Sequence, residues 1–585
     1  MNNGAKSAWS RVILFVTCLL LAVPVLIDLL RAPKVRPFGY VAADTFYYLS
    51  VARNFVEHGI PSMDGIHATN GFHPLWQLAA TIVYGVCKLV GHPNASVFGI
   101  VLASLACAVG AVWLLGRTIE RAIGYLPAPF VLLPFGIYAL GILPHYALSD
   151  RDRYLVEGHW YGPNGWSGTP PVYGTLYSLV NGMESSLVLL AFATVAWAML
   201  RSADDEPRPT RRAATMGGAL AFLCLARLDH GAFVLFPLLL WAFDVVGGGE
   251  RRRPALAACL AFAIPLAVYV IINLAYADAA FPVSGANKST FPLPSAGTVN
   301  EALELLRHPL ARQPIWRIFR HAPTVLSLLS SVLYVAIFVR VRAARRSLVI
   351  ELRDFATPFD GFLVKMTPGI WLLGGYNTVF VNANGIGEWY HPIAMIYMSL
   401  ALLSIYVWLS GLVRQRLATS VAALPARRLA LARVAGLAAM SALVIAGFVR
   451  HQVRADYHAK WVKLFWEIGP RVSQLLGNQP LKLIEYDDGI IGFSLNAPVV
   501  SGSRLGLDAE AAKASAAGHL VDLAVDRGFD TFATFVYGAG HPLTRASSPE
   551  DAARWVQQSW DENVSRYRAS VLYGDELLTL VKLTK

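Results

Sequence analysis

Long apolar runs recur through this 585-residue chain at 12–30, 74–90, 97–115, 126–143, 185–200, 215–225, 232–246, 255–276, 323–339, 362–381, 393–412 and 434–448. Several approach the ~20 residues that a helix needs to cross a bilayer. A chain built this way has few folds open to it, because in lipid every backbone N–H and C=O must be bonded internally. The composition agrees: 55% of residues are hydrophobic, 15% are charged and the mean hydropathy is +0.47. The pattern predicts a polytopic α-helical membrane protein with about 11–13 transmembrane helices. The first run follows Lys6 and Arg11 and has no small-residue cleavage site before Asp28 and Arg31, so it reads as a retained helix rather than a signal peptide.

Cytoplasmic loops carry excess Lys and Arg, and the basic clusters orient the helices. They are Arg201/Arg208/Arg211/Arg212, Arg251/Arg252/Arg253, Arg340/Arg342/Arg345/Arg346 and Arg414/Arg416/Arg427/Arg428/Arg433. Placing these inside puts Asp44, Glu184, Asp229, Lys288, Glu388 and the whole chain after Arg450 outside. The net charge of +12 and pI near 9.4 then reflect topology rather than a nucleic-acid partner. One stretch breaks the parity. Runs 97–115 and 126–143 leave 150–177 inside while Asn181 to Ser185 belongs outside, so a segment is re-entrant or a short helix near 171–180 crosses back. Between them, Arg151 to Tyr173 is rich in Gly, Pro, Trp and Tyr and reads as an ordered interfacial loop, its aromatics and His159 suited to a sugar-binding rim.

The first outer loop, 31–73, concentrates ionisable and aromatic residues. From Asp44 the spacing predicts an amphipathic helix on the membrane surface, with Ser50, Arg53, Asn54 and Glu57 on one face and Leu49, Ala52, Phe55 and Val56 opposite. Arg53 is expected to pair with Glu57 at i+4 or with the loop. Gly59 and Pro61 end the helix, and His67, Thr69, Asn70 and His73 lead to Pro74, which opens the next.

After Arg450 the character changes. A helix over His451 to Leu476 precedes strand-like LKLIEY, DGIIGFSL and APVVSG, a helix from Asp508 through Asp526, strand-like TFATFVY and a helix from Pro549 to Arg566. This predicts two domains, a transmembrane unit over 1–450 and an outer soluble α/β domain over 451–585. The outer domain is expected to assist acceptor recognition, its Asp487 and Asp488 serving as turn residues. The five cysteines all lie in apolar runs and read as packing residues, neither disulfides nor metal ligands. There is no GxxxxGK[ST] phosphate loop, HExxH pair or GxSxG elbow, which removes nucleotide-driven transport, zinc proteolysis and serine hydrolysis in their common forms.

Each candidate residue has two readings. Asp44 either caps its helix or acts as a base, and the roles can coexist. Arg227 and Asp229, in LARLDHG, form an ion pair at a helix end or part of a site, since charges near the bilayer are costly unless satisfied. Lys288 is a solvated loop cation or a grip for an anionic headgroup. Arg307, His308, Arg312, Arg317, Arg320 and His321 make a basic outer stretch able to hold phosphate. Glu184 and Glu388 complement helix dipoles or line a site.

Taken together, ADTFYYLSVARNFVEHG, TNGFHPLW, NGMES, RLD, PVSG with Lys288, and DDGIIGFSLNAPVVSGSRLGL resemble bacterial membrane glycosyltransferases of the GT-C superfamily. The resemblance spans nearly the whole chain. It is similar to the arabinofuranosyl, aminoarabinosyl and mannosyl transferases that take sugar from a polyprenyl-phosphate donor outside the cytoplasmic membrane. In that family an acidic residue of the first outer loop is the catalytic base, and Asp44 matches it. Many relatives carry a second acid beside it, where this chain has Ala43 and Thr45, so a divalent cation is possible but not favoured.

The resemblance and the chemistry imply one mechanism. Asp44 deprotonates an acceptor hydroxyl, the anomeric centre inverts, and cations stabilise the departing phosphate. Arg227, Lys288, Arg307 and Arg320 are the candidate phosphate ligands. Tyr47, His73, Glu184, Asp229, Glu388, Trp389 and Tyr390 are the candidate substrate contacts. No nucleotide cofactor and no metal are expected. The implied partners are the lipid bilayer, a polyprenyl-phosphate sugar and a glycan, lipid or protein acceptor. A lipid-linked-sugar flippase or a non-catalytic scaffolding subunit would share the helices and aromatics without a chemically essential Asp44.

Overall fold

The computed structural model describes residues 3–134, 179–201, 208–294, 299–300, 303, 307, 322–343, 357–381, 390–416, 426–452, 459–476, 481–485, 489–502, 506–535, 566–575 and 577–585. The apolar runs fold as helices: α1 (Asn3–Arg31), α3 (Pro74–Leu89), α4 (Ser96–Ile123), α5 (Ser185–Leu200), α6 (Pro209–Ala226), α7 (Gly231–Gly247), α8 (Arg252–Ala277), α10 (Ala322–Ala343), α11 (Pro358–Val379), α12 (Pro392–Arg416) and α13 (Ala426–Gln452). Between α1 and α3 lies α2 (Asp44–His58), and after α8 comes the short α9 (Val283–Lys288). The run at 126–143 carries a 3-10 turn, Ala128–Leu132, and beyond residue 134 lies outside the described residues, as does the parity break at 150–177. Among the described residues five helical stretches are long and apolar enough to cross a membrane: Lys6–Arg31, Pro93–Ile123, Leu228–Gly247, Arg252–Ala277 and Pro392–Gln415. Helix α8 packs along α6 and α4 along α5, while Leu239, Phe243, Ile264 and Ile271 remain exposed on α7 and α8, as residues facing lipid would.

Helix α2 is not a surface helix. Residues Thr45 to Asn54 are all buried, including the polar Ser50, Arg53 and Asn54, and it is Phe55 of the expected apolar face that is exposed, at 44%. The cover comes from the far end of the chain. Phe46 packs on Trp461, Phe465 and Phe493 with ring centroids 5.6, 5.4 and 6.1 Å apart. Arg53 correspondingly bonds backbone carbonyls near Phe493 rather than Glu57, which pairs with Lys88 at 3.4 Å and accepts from the Tyr84 hydroxyl at 2.8 Å.

Past Arg450 the expected helix is a relay of α14 (Ala459–Lys463), a π-helical turn (Leu464–Ile468) and α15 (Gly469–Leu476). The sheet that follows has the order β2-β1-β3-β5-β4, with β1 (Leu483–Glu485), β2 (Val499–Ser501) and β3 (Thr531–Phe535) parallel, and β5 (Leu578–Thr584) and β4 (Arg568–Gly574) antiparallel. Alternate residues serve two cores, as a two-unit period requires. Ile484, Val500, Phe532 and Val581 pack under α17 (Ala509–Ala516) and α18 (Leu520–Asp526), whereas Leu483, Val499, Ala533 and Leu580 join the core that contains α2. The sequence DGIIGFSL, read as a strand, is instead the helix α16 (Ile490–Ser494). Gly489, at φ 89°, turns the chain, and the buried Glu485 carboxylate accepts from the N–H groups of Ile491 and Gly492, each at 2.8 Å, which completes a helix N-terminus with a negative charge. Asp487, Asp488 and 549–565 lie outside the described residues.

Candidate functional site

Asp44 is the first residue of α2, half-buried, and among the described residues its side chain has neither a hydrogen-bond nor an ion-pair partner. It does not cap the helix: the N-cap position is Ala43, with no side-chain cap bond. The NGMES motif fixes this helix end. Asn181 O accepts from Ala42 N at 3.0 Å and from Thr45 Oγ1 at 3.1 Å, and Gly182 O accepts from Trp76 Nε1 at 2.8 Å.

One turn further on, the Tyr48 hydroxyl donates to Glu184 Oε2 at 3.2 Å and so connects α2 to a buried charge cluster. Glu184, 1% exposed, also accepts from Arg227 Nη1 at 2.7 Å, and His73 Nε2 lies 3.7 Å away. Arg227 Nε donates to Asp229 Oδ1 and Oδ2 at 2.9 and 3.0 Å, and the guanidinium stacks on the Tyr390 ring, 3.9 Å from its centroid. His230 Nδ1 is 3.2 Å from Asp229 Oδ1. Burial pushes the His73 imidazole from its ordinary 6.5 down to about 4, so at neutral pH it is uncharged. Two carboxylates and one guanidinium then leave a net negative charge in the cluster.

Tyr47 sits beside Asp44, buried, with no hydrogen-bond partner for its hydroxyl among the described residues. Burial pushes both the Tyr47 and Tyr48 hydroxyls well above the usual phenol range, so both are neutral donors. The TNG sequence ties the loop to α9: Asn70 Nδ2 donates to Ala279 O and Phe281 O at 2.8 and 3.0 Å, its Oδ1 accepts from Val283 N at 3.2 Å, and Ser284 Oγ donates to Gly71 O at 2.7 Å. Lys288 ends that helix.

Of the residues singled out in the sequence, His73, Glu184, Arg227, Asp229 and Tyr390 come together in one cluster, with Tyr47 and Asp44 at the adjoining end of α2. Arg307 is exposed. Arg320, Glu388 and Trp389 lie outside the described residues. Sequence reasoning missed Tyr48 and Asn70. Tyr48 was within reach of the i+4 rule, one turn from Asp44. A further group, Asp64, His67 and Asp508, presents ligand-type atoms within 4.8 Å of one another. There Arg527 supplies the positive charge, 2.6 Å from Asp508 Oδ2 and 4.0 Å from Asp64 Oδ2.

No protein-family model matches the sequence, and no curated protein matches it. Among solved structures the chain is similar to ArnT from Cupriavidus metallidurans bound to undecaprenyl phosphate, with a TM-score of 0.51 at 11% identity over 98% of both chains. It is similar also to the same protein in the apo state, with a TM-score of 0.50 at 13% identity over 98% of this chain and 97% of that one. Identity this low speaks to the fold alone: a polytopic α-helical membrane protein with a C-terminal α/β unit.

Proposed function

We propose that the chain transfers a sugar from a polyprenyl-phosphate donor to a hydroxyl of a cell-envelope glycan, lipid or protein at the outer face of the bacterial cytoplasmic membrane. In this reading 1–450 span the membrane and 451–585 lie outside. The observation that carries it is Asp44, a half-buried carboxylate without a hydrogen-bond or ion-pair partner among the described residues, at the start of a helix buried from Thr45 to Asn54. A structural acid is expected to be satisfied, as Glu184 is, whereas a base needs its lone pairs available for substrate. The likeness in fold to a protein that holds undecaprenyl phosphate supports the donor class.

Asp44 takes the proton of the acceptor hydroxyl. The oxygen attacks the anomeric carbon, the bond from that carbon to the phosphate oxygen breaks, and the lipid phosphate leaves with the electron pair, inverting the centre. Tyr47 offers a neutral O–H to the sugar. Lys288, Arg307 and Arg320 are the proposed cations for the leaving phosphate, with Glu388 and Trp389 as sugar contacts. Arg227 already meets two carboxylates and a ring, which suits it to organising Glu184, Asp229, His73 and Tyr390 into a fixed wall rather than to meeting phosphate as an open charge.

The test is transfer of radiolabel from polyprenyl-phosphate sugars to acceptor by the purified protein in detergent. Transfer that depends on Asp44 supports the reading. Lipid translocation without transfer, or turnover of Asp44→Asn within about threefold of the parent, defeats it.

A further inference from the structure

The C-terminal segment does more than lie over the membrane unit, for it grips the helix that carries Asp44 at two points. At the first, Arg53 is 3% exposed and, among the described residues, its hydrogen bonds all go to neutral oxygens of one turn. Nη1 donates to Gly492 O at 3.2 Å and Asn496 Oδ1 at 3.3 Å, and Nη2 to Ala497 O at 2.8 Å. Gly492 O and Ala497 O lie around the C-terminal end of α16, where the helix dipole favours a cation. Phe493 of the same turn lies under the guanidinium, with its ring centroid 5.7 Å from Cζ.

At the second point the chain touches Tyr47 itself. A Cβ on Gly506 would lie 2.4 Å from Tyr47 Cε2 and 2.6 Å from Met63 Cγ, and Gly506, at φ 67°, occupies the left-handed region. Neighbouring bonds pin this turn: Thr69 Oγ1 donates to Leu507 O at 2.8 Å, and a Cβ on Gly71 would be 3.2 Å from Gly506 N. The ring so confined ends in the buried Tyr47 hydroxyl, which has no hydrogen-bond partner among the described residues.

We propose that the Gly506–Leu507 turn and the Arg53 clasp form a positioning device for Tyr47 and the Asp44 end of α2, which makes the C-terminal segment one wall of the reaction centre. The idea rests on the proposed function only for what Tyr47 is positioned to do. It revises the expected role of the outer domain, from acceptor recognition alone to construction of the site. Gly506 and Arg53 are positioning residues in this scheme.

The test uses the full chain in nanodiscs with two readouts. The first is amide exchange of peptides over 44–58, with peptides over 578–584 as an internal control. Arg53→Met is expected to speed exchange over 44–58 by at least ~10-fold and leave the control unchanged, because local opening reports local packing. Unchanged exchange over 44–58 overturns the clasp. The second is binding of the polyprenyl-phosphate sugar that the parent turns over, used as the probe because Tyr47 is assigned to the sugar. Gly506→Ala is expected to weaken it by about 10-fold in the parent but by less than about twofold in a Tyr47→Ala background, where the ring it would strike is gone and unbranched Met63 can yield. Equal losses in both backgrounds mean that backbone strain alone is at work and overturn the positioning role. Should the parent bind and turn over no polyprenyl-phosphate sugar, the functional reading falls while the exchange arm still decides the clasp.

Discussion

Asp44 and Glu184 are acids one Tyr48 side chain apart, and their surroundings differ in every respect that matters to a charge. Glu184 is 1% exposed and receives Arg227, Tyr48 and the edge of His73. Asp44 is half-buried and, among the described residues, receives nothing. A buried carboxylate is tolerable only when its lone pairs are met, so Glu184 is committed to the fold. The lone pairs of Asp44, unmet among the described residues, are in the proposed function the ones that meet substrate. Substitutions in the two regions should therefore fail differently, one in chemistry and the other in folding.

The largest expected effect is on chemistry. Asp44→Asn keeps the shape but cannot take a proton, so kcat should fall by roughly 10²–10⁴ with the thermal midpoint and donor affinity nearly unchanged. Turnover corrected for folded fraction checks this. A drop in stability of the same size as the drop in rate would erase the contrast with Glu184.

Next comes the cluster. Arg227→Met leaves the buried Glu184 and the half-buried Asp229 without their guanidinium, and should cost about 3–5 kcal/mol of stability. Unfolding in detergent is the measurement, and a variant that folds like the parent but loses only donor affinity would return Arg227 to the phosphate. A smaller effect depends on pH. The folded pKa of His73 is depressed from 6.5 to about 4, so the unfolded chain binds the extra proton between those values. Its contribution is fully present above 6.5 and is lost as pH falls toward about 4. The ring is 23% exposed, so water can soften the loss. His73→Gln should flatten the acid limb of the stability curve, and an unaltered limb would assign it to other groups.

The same contrast separates what was legible in the sequence from what was not. Helix existence was legible because apolar length is a local signal, as at Ser185–Leu200, where run and helix coincide. Arg227 and Asp229 were legible as costly charges near lipid, and Glu184 as a charge at a helix start. Their pairing was not, because Glu184 and Arg227 meet across 43 residues. Arg53 shows the failure most clearly. The i+4 rule offered Glu57, but folding brought carbonyls from more than 430 positions away, and those desolvated oxygens needed a donor. DGIIGFSL misled for a related reason. Its apolar residues suit a buried strand, yet the Glu485 carboxylate holds the N-terminus of a helix there. The hairpin of β4 and β5 went unread, although Asp575 turns it by accepting from Leu577 N and Leu578 N at 2.7 and 2.8 Å.

Tyr48 joins the two regions and gives the sharpest, if smallest, test of their difference. Its hydroxyl donates to Glu184 Oε2 at 3.2 Å, and burial keeps it protonated. Tyr48→Phe removes one donor from a carboxylate that still holds Arg227, so the expected cost is about 1.5 kcal/mol, within the range for a hydrogen bond to a charged group. If Tyr48 belongs with Glu184, that loss appears in the unfolding midpoint, and turnover per folded molecule stays within about twofold. If it belongs with Asp44, relaying or orienting at the reacting end of α2, turnover falls tenfold or more, about 1.4 kcal/mol of barrier, while stability barely moves. Pairing the substitution with Asp44→Asn separates the cases further. Independent sites give additive losses, whereas a shared role makes the second loss small. The geometry favours the first outcome, since the hydroxyl donates to Glu184 of the cluster.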